Sequence, residues 1–308
     1  MTKFAHRGFA WLGRLRGPWG RFAVISIPMA FLVTVFLLPF LVIFKISLSE
    51  MDTVFFKDVL TWADDTIEIK IRLANYMVLA SDALYLETYL SSLQFAAITT
   101  AICLLIAYPF AYFLARAPAE RRPALLMLVM LPFWTSFLLR VYAWKVLLAD
   151  EGVVNNLFMM AGFIEEPIKM MNTQFSLVLG MVYTYVPFMI LPLYANLVKM
   201  DMRLLEAALD LGATPWQAFW RITVPLSKNG IVAGSMLVFI PCVGEYVIPE
   251  LLGGPQTLMI GRVLWDEFFS NNDWPMAASV AVVMVMLIIV PLAIFNKRQA
   301  DLAAGGRT

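Results

Sequence analysis

The hydrophobic positions of this chain gather into six long apolar stretches separated by polar segments. They lie at Phe22–Phe44, Ser91–Ala115, Ala124–Leu139, Phe175–Val198, Ile231–Leu252 and Met276–Asn296. A helix of about 20 residues crosses a hydrocarbon core about 30 Å thick, and most of these stretches reach that length. Backbone in lipid must satisfy its own hydrogen bonds, so the pattern predicts six transmembrane helices and an all-α integral membrane fold. The third stretch is the shortest: its apolar run ends at Arg140 and continues as a mixed segment to Leu148. The first is too long for a removed leader and lacks a small-residue cleavage site, so it reads as a retained anchor.

Composition agrees with this placement. At 61% hydrophobic and 15% charged residues, the chain is not a soluble globule of average usage. Charge then sets the orientation. Residues 1–21 carry Lys3, Arg7, Arg14, Arg16 and Arg21 and no acid, and Arg116, Arg121 and Arg122 follow the second stretch. Lys199, Arg203, Arg221 and Lys228 lie between the fourth and fifth, and Lys297, Arg298 and Arg307 in the tail. Positive segments stay cytoplasmic, so both termini and the 199–228 loop are expected inside. The remaining residues are net acidic, which suits a cationic solute because negative clefts concentrate positive ligands.

The layout that follows is a basic cytoplasmic arm (1–21), a six-helix transmembrane domain (22–296) and a cytoplasmic tail (297–308). A large outer loop, 45–90, contains Ile67, Ile69, Ile71 and Leu73 alternating with Glu68, Lys70 and Arg72, a short strand signature. Asp82 to Leu90 reads as a helix feeding the second span. This loop either docks a soluble protein or merely caps the bundle. No internal duplication stands out.

Several chemistries are not expected. The lone histidine, His6, sits in the basic arm, and Cys103 and Cys242 fall in separate spans without CxxC spacing. No GxxxxGK[ST] phosphate loop occurs, so neither catalysis nor ATP binding through a Walker motif is expected of this chain. No metal site, resident cofactor or nucleic-acid partner is expected either.

The informative apolar stretch is Phe239–Gly254, FIPCVGEYVIPELLGG. Pro241, Gly244 and Pro249 surround Glu245, which predicts an irregular helix at that carboxylate. An acidic residue at the bilayer centre costs about 2.5–3.5 kcal/mol on insertion scales. Glu245 must therefore face a watery pathway, pair with another group, or be protonated. Glu250 lies nearer the outer interface. Tyr246, Tyr183, Tyr185 and Trp134 are candidate aromatic faces for an alkylammonium group through cation–π contact, although such residues more often pack or anchor at interfaces. Arg140 and Lys145 pair with outer carboxylates or meet a partner subunit.

Between the fourth and fifth spans lies DMRLLEAALDLGATPWQAFWRITVPL, Asp201–Leu226. Arg203–Leu211 has strong helix formers and no breaker. Gly212 can end that helix in a left-handed conformation, and Thr214 caps a second helix with Pro215 at its first position. Ala207, Ala208 and Leu211 share one face, which suits a helix lying in a partner's groove. The order Glu206-Ala207-Ala208, three residues, Gly212, nine residues, Ile222, two residues, Pro225 resembles the EAA loop of permease subunits in binding-protein-dependent ABC importers. Val224, in place of leucine, is the one departure.

In that family the loop forms coupling helices seated on a cytoplasmic ATPase, so the resemblance assigns Glu206, Ala207, Ala208, Gly212, Ile222 and Pro225 to coupling. GEYVIPELLGG (Gly244–Gly254) is similar to a segment of polyamine importer permeases of the putrescine and spermidine type. So are LPFWTSFLLRVYAW (Leu131–Trp144), YVPFMILPLYANL (Tyr185–Leu197), RLLEAALDLGA (Arg203–Ala213) and GRVLWDEFFSNNDWP (Gly261–Pro275). The resemblance runs from the first span onward and is nearest to the first permease subunit of a putrescine importer, the PotH type.

It implies a type I ABC importer permease fold in a bacterial inner membrane, with a second, non-identical permease subunit. It also implies an ATPase subunit dimer carrying ATP and Mg, and a periplasmic polyamine-binding protein. The expected function is inward movement of polyamines by alternating access. Another organic cation or small polar metabolite remains an alternative solute. An ion-coupled secondary carrier would also use Glu245 but would not need the EAA-type loop.

Overall fold

A computed structural model describes residues 18–51, 56–57, 60–63, 66–69 and 72–305. The chain opens with α1 (Pro18–Leu32), a π-helical turn at Val33–Leu37 and α2 (Leu38–Ser47). Two short antiparallel hairpins follow: β1 (Glu50–Met51) with β2 (Phe56–Lys57), and β3 (Leu60–Ala63) with β4 (Thr66–Ile69). Next come α3 (Ala74–Ser81), α4 (Ala83–Arg116) and α5 (Arg122–Met130), which runs into a 3₁₀ turn at Leu131–Trp134. Then follow α6 (Phe137–Leu147), α7 (Val153–Met160) and α8 (Gln174–Leu197). The polar loop holds α9 (Arg203–Asp210), α10 (Pro215–Ala218), a π-helical turn at Phe219–Thr223 and α11 (Val224–Leu226). The remaining helices are α12 (Lys228–Val243), α13 (Val247–Leu252), α14 (Ile260–Trp265) and α15 (Trp274–Gly305).

Among the described residues, Val24–Ser47, Ala83–Arg116 and Gln174–Leu197 are each long and apolar enough to cross a membrane. These correspond to the first, second and fourth predicted stretches. The third, Ala124–Leu139, is not one helix. The chain bends by 82° between Trp134 and Phe137, so the helical pair is Arg122–Trp134 and Phe137–Leu147. Pro132 lacks the N–H that would carry the helix on, and Thr135 Oγ1 donates to Pro132 O at 2.8 Å, fixing the turn. The fifth, Ile231–Leu252, is also corrected: its helix begins at Lys228 and stops at Val243, before a separate α13. Within the sixth, Trp274–Ile289 is a shorter apolar helix.

The chain divides into two units, Met1–Val78 with Glu267–Thr308, and Leu79–Asp266. In the first, α2 packs against α15, and Ser279 Oγ donates to Ser47 O at 3.0 Å. Asn75 Nδ2 donates to Ser49 O at 3.1 Å, and Arg72 pairs with Glu50. The strand predicted from Ile67 to Leu73 is seen only as far as Ile69; Lys70 and Ile71 lie outside the described residues, as does the basic arm through Gly17.

In the second unit α4, α8 and α12 pack mutually into a three-helix core. Ala96, Ala107 and Ala111 on α4 are fully buried, letting neighbouring backbones approach as small residues do in membrane bundles. Met181 and Met189 of α8 and Val238 and Cys242 of α12 are buried with them. Both long helices are capped as their sequences specify. Asp82 accepts from Leu84 N at 2.9 Å at the start of α4, while Thr173 and Ser176 form a capping box on α8.

Candidate functional site

The site is built around the break between α12 and α13. Had the helix continued, the ring of Pro249 would collide with the carbonyl of Glu245 and offer it no N–H. Restarting at Val247 places Pro249 in the first turn of α13, where a missing N–H costs nothing. Tyr246 adopts φ −126°, outside the helical region, as the residue that carries the turn.

Free backbone groups at such a break need partners in an apolar surround. Glu245 Oε1 accepts from Val247 N at 3.1 Å, at the N-terminus of α13, where an anion is favoured. At the other end of α13, Ser176 Oγ donates to Leu252 O at 2.7 Å. Glu245 Oε2 accepts from the Tyr185 hydroxyl of α8 at 2.5 Å. The half-buried carboxylate is thus fixed by one backbone and one side-chain donor, both neutral.

Two residues of α14 close the break. A Cβ on Gly261 would stand 2.5 Å from Gly244 O and 2.6 Å from Glu245 O, so only glycine lets α14 lie on this backbone. Trp265, one turn on, stacks on Tyr246 with ring centroids 4.5 Å apart and planes 9° apart. Neither stands out in the sequence for this role; their signal is confined to the GRVLW segment, and the contact itself is long-range.

The candidate pathway residues separate into groups. Tyr185 and Glu245 are in direct contact, and Tyr246 is adjacent, with one ring face already covered by Trp265. Tyr183 instead meets Trp144 edge to face at 5.4 Å, and Trp134 is exposed at the end of the 3₁₀ turn. Glu250 is exposed and ion-paired to Arg262 at 2.7 Å. That pair borders a cleft of about 600 Å³ whose lining includes Lys169, Asn172 and Asp266. A second cavity of about 550 Å³, between α4, α5, α6 and α8, is lined by residues such as Phe110, Leu128, Val182 and Ile190. It offers almost no polar group to orient a charged solute, unlike the surroundings of Glu245 and the Glu250 cleft.

The polar loop forms a second candidate site. Gly212 has φ +86° with open space around it, the left-handed turn its position predicted. Thr214 and Gln217 form a reciprocal capping box at α10. The Arg203 guanidinium and backbone N–H both donate to Asp201, holding its carboxyl below the usual carboxylate range at the start of α9. Glu206 and Ala207 are exposed and Ala208 half-buried, whereas Leu205 turns inward. Ile222 is half-buried in the π-helical turn and Pro225 is exposed. Leu211 (89% exposed), Trp216 (69%) and Trp220 leave an apolar surface open beside them. Phe219 fastens this loop to the core, meeting Tyr108 and Tyr112 of α4 edge to face at 5.5 and 5.9 Å. The Tyr108 hydroxyl is also 2.8 Å from Ser227 Oγ.

The sequence pattern of the family described as "Binding-protein-dependent transport system inner membrane component" matches residues 107–300, spanning both sites. The chain belongs to this family. As a permease subunit of an ABC importer it lacks its own ATPase site, which resides on a separate subunit. It is 37% identical over 273 residues to the spermidine/putrescine transport system permease protein PotB of Haemophilus influenzae, covering 89% of this chain and 92% of the relative. It is 41% identical to PotB of Escherichia coli K12, covering 75% and 85%. These relatives carry the PotB name rather than the PotH type that the sequence suggested. The permease also superposes on a bacterial alginate ABC transporter solved in complex with alginate pentasaccharide-bound periplasmic protein. That match has a TM-score of 0.67 and 16% identity, covering 96% of this chain and 97% of that one. The fold is that of a type I ABC importer permease.

Proposed function

We propose that this permease carries polyamines, putrescine and spermidine, inward across a bacterial inner membrane as one subunit of an ATP-driven importer. Its complex would hold a second permease chain, two ATPase subunits binding ATP and Mg, and a periplasmic polyamine-binding protein. The observation that carries the solute class is Glu245, a carboxylate in a broken apolar segment whose present partners are a hydroxyl and an amide. Relatives named for spermidine and putrescine support the same reading. An alkylammonium offers charge that neither neutral donor supplies, so it can compete for this carboxylate.

In the proposed cycle the loaded receptor docks outside, ATP closes the ATPase dimer, and the loop at residues 199–228 passes that movement to the spans. The pathway opens outward, takes the polyamine, and reopens inward after hydrolysis. Each ligand shifts the cycle only through its different affinity for the two states. Glu206, Ala207, Ala208, Gly212, Ile222 and Pro225 serve coupling, while Glu245, Tyr185, Tyr246, Glu250, Tyr183 and Trp134 are assigned to the pathway.

The test is uptake of labelled putrescine and spermidine into proteoliposomes holding the whole complex. Glu245→Gln keeps the shape and removes the charge, so uptake should fall while receptor docking and ATPase association persist. Glu250→Gln, nearer water, should have the smaller effect. Parent-like uptake by Glu245→Gln would remove that residue from the pathway. A parent complex that carries another organic cation but neither polyamine would overturn the solute class.

A further inference from the structure

Arg140 is a charge left without a counter-ion. Its Nε and Nη1 are shielded from solvent and have no hydrogen-bond partner, and no carboxylate among the described residues pairs with it. The guanidinium instead lies 5.2 Å from the centroid of Phe133 and 6.0 Å from that of Phe137. A guanidinium does not lose its proton in a protein, so this charge persists whatever the surroundings. Ring faces attract it but accept no N–H bonds in the way a carboxylate does.

An anion flanks a helix that packs on the one bearing Arg140. Helix α13 packs on α6, the helix that bears Arg140, and Glu245 lies two residues before α13. Glu250, the other carboxylate of that region, is already committed to Arg262 at 2.7 Å. Among the described residues, Glu245 is held only by neutral donors. A row of rings joins the two charges: Tyr185 to Phe188 at 6.1 Å, Phe188 to Phe133 at 5.1 Å, then Phe133 to the guanidinium. Both ends of an aromatic surface therefore carry unneutralised charge of opposite sign, and one end is a long, flexible side chain.

We propose that Arg140 and the transported ammonium compete for Glu245. With the charges apart, as here, the carboxylate is open to the solute. In the inward-facing state that releases the solute, Arg140 swings along the aromatic surface and takes the place of the ammonium on Glu245. This competition keeps solute binding weak enough for release and makes the empty pathway a poor site for small inorganic cations. The inference rests on the proposed role of Glu245 and assigns to Arg140 the part of a specificity-determining residue.

The experiment is a double-mutant cycle in the complete complex, with Arg140→Gln, Glu245→Gln, the double variant, and Arg140→Lys as the conservative control. Uptake gives KM and maximal rate, with sodium and potassium as competitors. Receptor-stimulated ATP hydrolysis gives a second cycle that does not depend on which solute is carried. Arg140→Gln should lower KM about fivefold, the size of a coupling between neighbouring groups, while slowing turnover and making uptake sensitive to sodium. Arg140→Lys should restore most of the parent behaviour, and in the Glu245→Gln background Arg140→Gln should change nothing further. Equal effects of Arg140→Gln in both backgrounds would overturn the proposal. So would loss of the second permease chain from the purified Arg140→Gln complex, which would make Arg140 an inter-subunit contact. A parent complex that carries no polyamine, with a non-additive hydrolysis cycle, would instead reject the solute class and leave the charge competition standing.

Discussion

Tyr185 decides how Glu245 is presented. Its hydroxyl is the one side-chain donor to the carboxylate among the described residues, at 2.5 Å, so Tyr185→Phe removes that bond and little else. Losing one such bond should destabilise the permease by about 1 kcal/mol, read as a lower unfolding temperature of the detergent-purified complex. The freed carboxylate should also change KM for the solute more than it changes ATPase association. An unaltered KM would show that Tyr185 is a packing residue only. Glu245 itself was legible in the sequence because an acid in an apolar run is costly unless solvated or paired, and two prolines and a glycine beside it mark a broken helix. Its partners were less so. Tyr185 is one of four aromatic candidates that the sequence does not rank, and Trp134 stands level with it although it is exposed away from the break. Pairings across 60 residues leave no local periodicity to read.

At the scale of elements, two glycines with opposite requirements make the clearest predictions. Gly212 needs its backbone conformation but has open space, so Gly212→Ala should cost about 1–2 kcal/mol at that turn and leave packing intact. Gly212→Trp and Glu206→Lys should reduce co-elution of the ATPase subunits and receptor-stimulated hydrolysis while membrane insertion is retained. Normal values for both would remove the coupling assignment. Gly261 needs space instead: Gly261→Ala drives a methyl group into two carbonyl oxygens of the break. That variant should lower thermal stability more than Gly212→Ala does, measured on the purified complex. The turn at Gly212 and the cap at Thr214 were readable to the residue because caps and left-handed turns are local chemistry. The bend between Trp134 and Phe137 was not, since Pro132 alone does not say whether a helix kinks or ends.

For the whole molecule, the distribution of basic residues makes a topological prediction. Cysteines placed at Thr2 or Ala303 should react with an impermeant maleimide only after the membrane is opened, and one at Thr61 should react in intact spheroplasts. Cys103 and Cys242 are both buried, which keeps the background low. Labelling of Thr2→Cys from outside would reverse the assigned orientation. The fold class was legible because lipid leaves the backbone few choices. The two-hairpin structure of the 45–90 segment was only partly so, because short strands rest on pairing that local alternation does not specify.

The long helix α4 has 34 residues and so extends about 50 Å. Ser92 Oγ accepts from Ile260 N at 2.7 Å, next to the glycine on which the Glu245 break rests. Tyr108 and Tyr112 grip Phe219 of the polar loop at the other end. In the proposed cycle this helix, fastened near both ends, would act as a lever, and thermodynamic linkage requires a lever to work in both directions. Whatever factor nucleotide imposes on solute affinity at the proposed site, bound solute must return to nucleotide affinity at the proposed ATPase partner. A permease with Phe219→Ala should therefore lose both effects together and by the same factor, although that side chain belongs to neither site.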